Sequence, residues 1–269
     1  FFSRKGTKVN LVAGFPWFGR WGRDTFISLP GLCIALNDWR MFRLAIDTML
    51  EDFKDGFFPN IGEGTQAAYN SVDAPLWFFW ALQQYAYINV RRKEVWQAYA
   101  HVMRSILENF SEGVSNVRMD SNFLLWQGED GKALTWMDAV IDGNPVTARK
   151  GYAVEINSLW YNAVMFYREL AKLQCEDGEI AKWDEFAANF PTNFKATFWS
   201  KEIGYLADCV DGSNKDFSVR CNMIFAASLE YSPISPKIRQ LIVEKVRQEL
   251  LTPKGLRTLS PTHKDYHET

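Results

Sequence analysis

The chain has 269 residues, 47% of them hydrophobic and 23% charged, with a formal net charge of −2. That supplies a sizeable core but neither the basic footprint of a nucleic-acid or membrane-surface binder nor an apolar run long enough to span a bilayer. Cys33, Cys175, Cys209 and Cys221 show no CxxC spacing, and His101, His263 and His267 form no ligand pattern with them, so no metal or cofactor is expected, and reduced thiols in a cytoplasmic setting are the simplest account.

The opening Phe1-Phe2-Ser3-Arg4-Lys5 lacks an initiator Met and a targeting pattern, so the chain is expected to be an excised part of a longer polypeptide. Pro16-Trp17-Phe18-Gly19-Arg20-Trp21-Gly22-Arg23-Asp24-Thr25 follows, with two tryptophans and an Arg-Asp pair within eight residues. Indole faces beside a guanidinium and a carboxylate suit a sugar, whose C–H faces stack and whose hydroxyls need fixed donors and acceptors. A packed corner, with the rings in the core and Arg23 paired to Asp24, accounts for the segment equally well.

Helical periodicity then recurs to the end of the chain. Thr25 to Leu36 is predicted as a helix strained by Pro30-Gly31, and Trp39 to Phe53 as a second. Asp73-Ala74-Pro75 offers an acidic N-cap and a first-turn proline, ahead of the apolar run Leu76 to Ile88. Lys93 to Phe110 puts Val95, Tyr99, Val102, Ile106 and Phe110 on one stripe, and Glu155 to Leu173 is periodic through Ile156, Leu159, Trp160, Ala163, Val164, Tyr167 and Leu170. Glu179 to Phe198, Arg220 to Leu229 and Pro236 to Leu251 complete about eight helices. Phe57-Phe58, Leu124-Leu125-Trp126 and Tyr205-Leu206 are candidate short strands in or between the loops. Without βαβ alternation, consecutive helix pairs predict an all-α solenoid or toroid whose loops carry function.

Of the 11 tryptophans, four lie within five residues of a carboxylate that stands out: Asp24, Asp73, Asp138 and Glu155. Each has a structural alternative. Asp73 can be a helix cap, Glu155 a first-turn acid that complements the helix dipole, and Asp24 an ion-pair partner of Arg20 or Arg23. Asp138, after Trp136 and Met137, is the hardest to explain that way: an apolar surround would keep it protonated as a general acid. Sugar hydrolysis needs one such acid and a second carboxylate to activate water. Together the four favour function over structure.

Pro16 to Asp24, Tyr69-Asn70-Ser71-Val72-Asp73-Ala74, Leu134-Thr135-Trp136-Met137-Asp138-Ala139, Val154-Glu155-Ile156-Asn157-Ser158-Leu159-Trp160-Tyr161-Asn162 and Gly255-Leu256-Arg257-Thr258-Leu259-Ser260-Pro261 occur in that order. In this they resemble the C-terminal amylo-α-1,6-glucosidase domain of glycogen debranching enzymes. The resemblance implies a glucoamylase-like (α/α)6 toroid of helical hairpins and an inverting hydrolase that releases α-1,6-linked glucose from glycogen branch stubs, with glycogen or another branched α-glucan as partner. It also implies Asp138 as general acid, Arg23 and Asp24 as the pair that grips the sugar, and Trp17, Trp21, Asn70, Asp73, Trp136, Glu155 and Trp160 as pocket residues.

Two departures matter. Arg220-Cys221-Asn222-Met223 stands where the family usually has Arg-Pro-Asn-Gln, which removes an amide at Met223. The chain also ends at Thr269, before the segment in which the resemblance implies the catalytic base. The expectation is therefore a single catalytic domain over 1–269, truncated to about two-thirds of a toroid and preceded in its parent by an N-terminal domain. Its open edge would be a surface for self-association. A glucoamylase- or trehalase-like exo-hydrolase, and a fragment that binds glucan without turnover, are the competing expectations.

Overall fold

A helix that is apolar on nearly every side must be enclosed by others, whereas one with a single apolar stripe must face solvent. Both kinds alternate in the computed structural model, which describes residues 1–88 and 91–268. Helices α3 (Asp73–Tyr87) and α5 (Val154–Leu173) are buried around most of their circumference. Helices α2 (Trp39–Leu50), α4 (Arg92–Glu112), α7 (Asp184–Phe198) and α9 (Pro236–Glu249) each bury one stripe. The stripe of α4 runs from Val95 through Tyr99, Val102 and Ile106 to Phe110, as the periodicity predicts. Helix α1 (Gly22–Leu29) and the short α6 (Asp177–Ala181) and α8 (Ile224–Ser228) complete the nine α-helices among the described residues.

Alternate helices are neighbours: α1 packs on α3, α3 on α5, and α5 on α8. The registers of their contacts show that the first three run parallel. Arg23 at the start of α1 meets Asp73 at the start of α3, while Phe26 meets Phe78 further along. Between α3 and α5, Asn162 donates to Gln83 at mid-length and Tyr87 donates to Glu169 near the far end. The N-termini of α1, α3 and α5 therefore share one end of the molecule.

Among the described residues, five small antiparallel sheets occupy the connections, so the fold is largely helical rather than all-α. They comprise β1 (Phe2–Lys5) with β2 (Lys8–Leu11), β3 (Val117–Met119) with β4 (Leu125–Gln127), β5 (Val140–Ile141) with β6 (Asn144–Pro145), the three-stranded β7 (Tyr152–Ala153), β8 (Cys209–Asp211) and β9 (Asn214–Asp216), and β10 (Leu251–Thr252) with β11 (Gly255–Leu256). Tyr152 pairs with Val210 and Ala153 with Cys209, which brings the start of α5 beside residue 208.

Several predicted elements are shorter than their periodicity suggests. The helix expected to Leu36 changes at Pro30, where the missing N–H interrupts the ladder and a π-helical turn, Pro30–Ile34, takes over. Val72, not Asp73, is the N-cap of α3, and Asp73 is its first helical residue. Glu179 to Phe198 divides between α6 and α7, and Arg220 to Leu229 begins with a 3-10 turn, Cys221–Met223. Only Leu125-Trp126 of the candidate strands lies in a sheet. Phe57 and Leu206 form isolated bridges to Lys54 and Trp199.

Gly22 shows how closely α1 docks. A Cβ there would lie 2.4 Å from the Pro59 carbonyl oxygen and 3.5 Å from the Ala74 Cβ, whereas one on Gly31 would meet nothing within 4 Å. Gly22→Ala is expected to cost about 1–3 kcal/mol in a denaturant melt, since backbone must shift to admit the methyl. Gly31→Ala, at an exposed position, should leave the midpoint unchanged or raise it.

Candidate active site

Arg23, in the first turn of α1, is almost wholly buried, and its guanidinium joins two carboxylates. Nε donates to Asp73 Oδ2 at 2.6 Å and Nη2 to Asp73 Oδ1 at 3.0 Å, a fork-on-fork pair at the start of α3. Nη2 also lies 3.3 Å from Ser71 Oγ. Nη1 reaches out to Asp138 Oδ2 at 3.2 Å. The Asp138 side chain is 32% exposed, against 1% for Asp73. The apolar surround expected for Asp138 is thus corrected: a guanidinium stands on one side and solvent on another.

Asp24 pairs with neither arginine that the sequence offered it. Arg20 is engaged by Asp52 and the Gly62 carbonyl, and Arg23 by Asp73 and Asp138. Among the described residues the half-buried Asp24 carboxylate accepts no hydrogen bond from another side chain, so it is available to a ligand. Burial raises its pKa, with a further push from Asp138 and Asp73 and opposition from Arg23. It faces a cavity of about 790 Å³ shared with Trp17, Phe18, Ile27, Ser28 and Leu32.

The tryptophans divide sharply. Trp17 is 81% exposed at the cavity wall. Trp21 is half-buried, edge-on to Phe18, and Trp136 is half-buried two residues before Asp138. Asn70 is exposed in the loop that leads into α3. Trp160, however, is fully enclosed among Phe110, Trp183 and Phe186. Its place among the pocket residues is therefore corrected: it lies on the core stripe of α5, where its ring contributes packing area.

Glu155 is also enclosed, for another reason. Arg149, buried and only 2% exposed at its side chain, makes a two-point pair with Glu155, including Nη2 to Oε2 at 2.7 Å. Its Nε donates to Asp208 Oδ2 at 2.8 Å. A buried guanidinium is tolerated only with such partners, and here the opposed carboxylates hold its pKa well above the ordinary arginine range despite burial. Burial in turn raises the pKa of Asp208, with Arg149 opposing. Glu155 is thus a buried partner of Arg149, and its place among the pocket residues is corrected as well. Arg149, Asp208, Ser71 and Asn222 are site-supporting residues that sequence reasoning missed. Arg149 and Asp208 have no periodic signal, while Ser71 and Asn222 lay inside motifs already singled out.

A model of the family described as amylo-alpha-1,6-glucosidase matches residues 1–269. The glycogen debranching enzyme of Saccharomyces cerevisiae (strain ATCC 204508 / S288c) is 23% identical over 346 aligned positions, which take in 96% of this chain; the chain spans 22% of that relative's length. Among solved structures, an uncharacterized conserved protein from Thermus thermophilus superposes with a TM-score of 0.66 at 13% identity, over 98% of this chain and 78% of that one. A rhamnosidase from Klebsiella oxytoca, solved with rhamnose bound, gives 0.56 at 13% identity over 85% and 41%. At these identities the structural likeness establishes the fold alone.

The raised pKa of Asp24 has a stability consequence with a definite sign. A carboxylate whose folded pKa exceeds its unfolded one destabilises the native state once both forms ionise, and is neutral when both are protonated. Asp24→Asn should therefore raise the thermal midpoint at pH 7, and the gain should shrink as the pH falls towards 3.8, the ordinary aspartate value. A pH-independent gain would remove the carboxylate's ionisation as its cause.

Proposed function

The chain belongs to the amylo-alpha-1,6-glucosidase family, and on that premise we propose that it is a glycoside hydrolase domain that releases α-1,6-linked glucose from branch stubs of glycogen-type α-glucan. The observation that carries this reading is the partly exposed Asp138 carboxylate, tethered through one oxygen to Arg23, whose chain neighbour Asp24 carries a carboxylate that accepts no side-chain hydrogen bond among the described residues. As general acid, Asp138 delivers a proton to the glycosidic oxygen as the bond from that oxygen to the anomeric carbon breaks. Water attacks the opposite face of that carbon and loses its proton to a second carboxylate, which inverts the configuration.

Asp24 accepts hydrogen bonds from the hydroxyls of the bound glucose. Trp17, Trp21 and Trp136 supply flat surfaces for the sugar, and Asn70 adds an amide at the rim. Arg23 spends most of its donors on Asp73 and Ser71, so it acts on the sugar chiefly by holding Asp138. The proposal extends to architecture: α1, α3, α5 and α8 are inner members, and α2, α4, α7 and α9 outer members, of an (α/α)6 toroid. A cytoplasmic setting is consistent with four free cysteines.

Asp138→Asn in the full protein is expected to lower kcat on a branched limit dextrin by about 10²–10⁴-fold, the usual worth of a general acid. Glucan binding, measured by calorimetry, should be preserved. Retained turnover would remove Asp138 from the acid role. If the unaltered protein released glucose faster from linear maltooligosaccharides than from the limit dextrin, the activity would be an exo-glucosidase rather than a debranching one. Binding with no release from either would mark a glucan-binding module.

A further inference from the structure

The segment Leu134–Asp138 has no regular structure, yet each of its residues is tied to something outside it. Leu134 accepts from the Val72 backbone N–H at 2.9 Å, just before α3. Thr135 Oγ1 lies 3.3 Å from Arg149 Nη1. Asp138 is held by Arg23. The two residues between, Trp136 and Met137, meet one side chain, that of Asn222.

Asn222 is completely buried at the entry to α8. Its amide oxygen accepts from Trp136 Nε1 at 2.7 Å. Its amide nitrogen donates to Asp208 Oδ1 at 2.7 Å and lies 3.4 Å from Met137 Sδ. The two partners fix the amide's orientation, since an indole N–H needs an acceptor and a carboxylate needs a donor. Asp208 is itself immobilised by Arg149, and Arg149 by Glu155 at the start of α5. A continuous buried chain therefore runs from the start of α5, through Arg149, Asp208 and Asn222, to the indole two residues before Asp138.

We propose that Asn222 is a positioning residue for proton transfer by Asp138: it clamps Trp136 and Met137 from beneath, and the buried Glu155–Arg149–Asp208 charges are its anchor. The inference rests on the reading of Asp138 as general acid and adds the means by which its loop is held. Arg23 fixes the carboxylate, and Asn222 fixes the side chains of the two residues just before it. A leucine at position 222, which has the same branched outline but bulkier methyls, would remove both hydrogen bonds and release the indole. Proton delivery tolerates little displacement, and a shift of about 1 Å can cost about 100-fold in rate.

The test exploits the leaving group. An α-1,6-linked disaccharide leaves only when protonated, whereas α-glucosyl fluoride loses fluoride without a proton from the enzyme. The readout is the ratio of kcat for the fluoride to kcat for the disaccharide in the full protein. Asn222→Leu is expected to raise this ratio by about 100-fold, and Trp136→Phe, which keeps a ring but deletes the N–H, by about 10-fold. The second variant decides the matter if the first fails to fold. An unchanged ratio in a folded variant, with both substrates slowed equally or neither slowed, would reduce Asn222 to a packing role and overturn the inference. Asp138→Asn is the reference: it must raise the ratio itself. If it does not, the acid reading fails and takes the clamp with it. A raised ratio for Asp138→Asn with an unchanged ratio for both clamp variants refutes the clamp alone.

Discussion

A buried guanidinium cannot be left without partners, and beside Arg20, held by Asp52 and the Gly62 carbonyl, this fold places two more at the end where α1, α3 and α5 begin. Arg23 answers to Asp73 and Asp138, and Arg149 to Glu155 and Asp208. Each arginine joins a helix N-terminus to a carboxylate outside the helices: Asp138 in an irregular segment, and Asp208 immediately before β8. Carboxylates in a first helical turn are favoured by the helix dipole, so Asp73 and Glu155 belong there on local grounds. The arginines then use those two acids as fixed points from which to locate Asp138 and Asp208. Removing one partner of a buried pair such as Arg23–Asp73 or Arg149–Glu155 typically costs about 3–5 kcal/mol; the Arg23–Asp138 pair, whose carboxylate is partly exposed, is worth less.

The parallel arrangement of the inner helices makes this possible. Because each returns to the same end before starting, three N-termini converge there, and acids distant in sequence become neighbours. The far ends are knit by other chemistry, in which Glu169 accepts from Tyr87, Tyr231 and Arg92. Between the two ends lies an aromatic core, dense around Trp160 and along the Phe186–Phe190–Phe194–Phe198 ladder of α7. That core tolerates a site with an unpaired, half-buried carboxylate at Asp24.

What could be read from the sequence follows from the range of each interaction. The stripes of α4 and α5 are local and periodic, and both helices were legible to within a few residues. The divided helices were less so, because Pro30 and the turn between α6 and α7 interrupt hydrogen bonding without disturbing apolar spacing. The group of Arg23, Asp73 and Asp138 was legible through its motifs but not through geometry: 115 residues separate Arg23 from Asp138. Arg149 and Asp208, 59 residues apart, left no trace, since the β7–β8 register that joins them comes from strands of two and three residues. Trp160 shows the converse error. A tryptophan five residues beyond an acid suggests a pocket just as Trp136 does, but α5 is buried on nearly every side, so its ring had no route to a cleft.

Arg23 and Asn222 hold the same loop and differ in what their loss would mean. Arg23 divides one guanidinium between Asp73, which closes α1 onto α3, and the partly exposed Asp138. Its removal strips both carboxylates at once, so a lost activity there could not be told from a loosened helix pair. Asn222 is uncharged, and its bonds run to the indole, the thioether and an aspartate that still has Arg149. Its loss releases the side chains of Trp136 and Met137 while leaving every ion pair in place. Loss of Asn222 still leaves the Trp136 N–H and one Asp208 oxygen short of a partner, but it disturbs no ion pair, so the neutral amide perturbs the segment before Asp138 with less collateral change than Arg23 does.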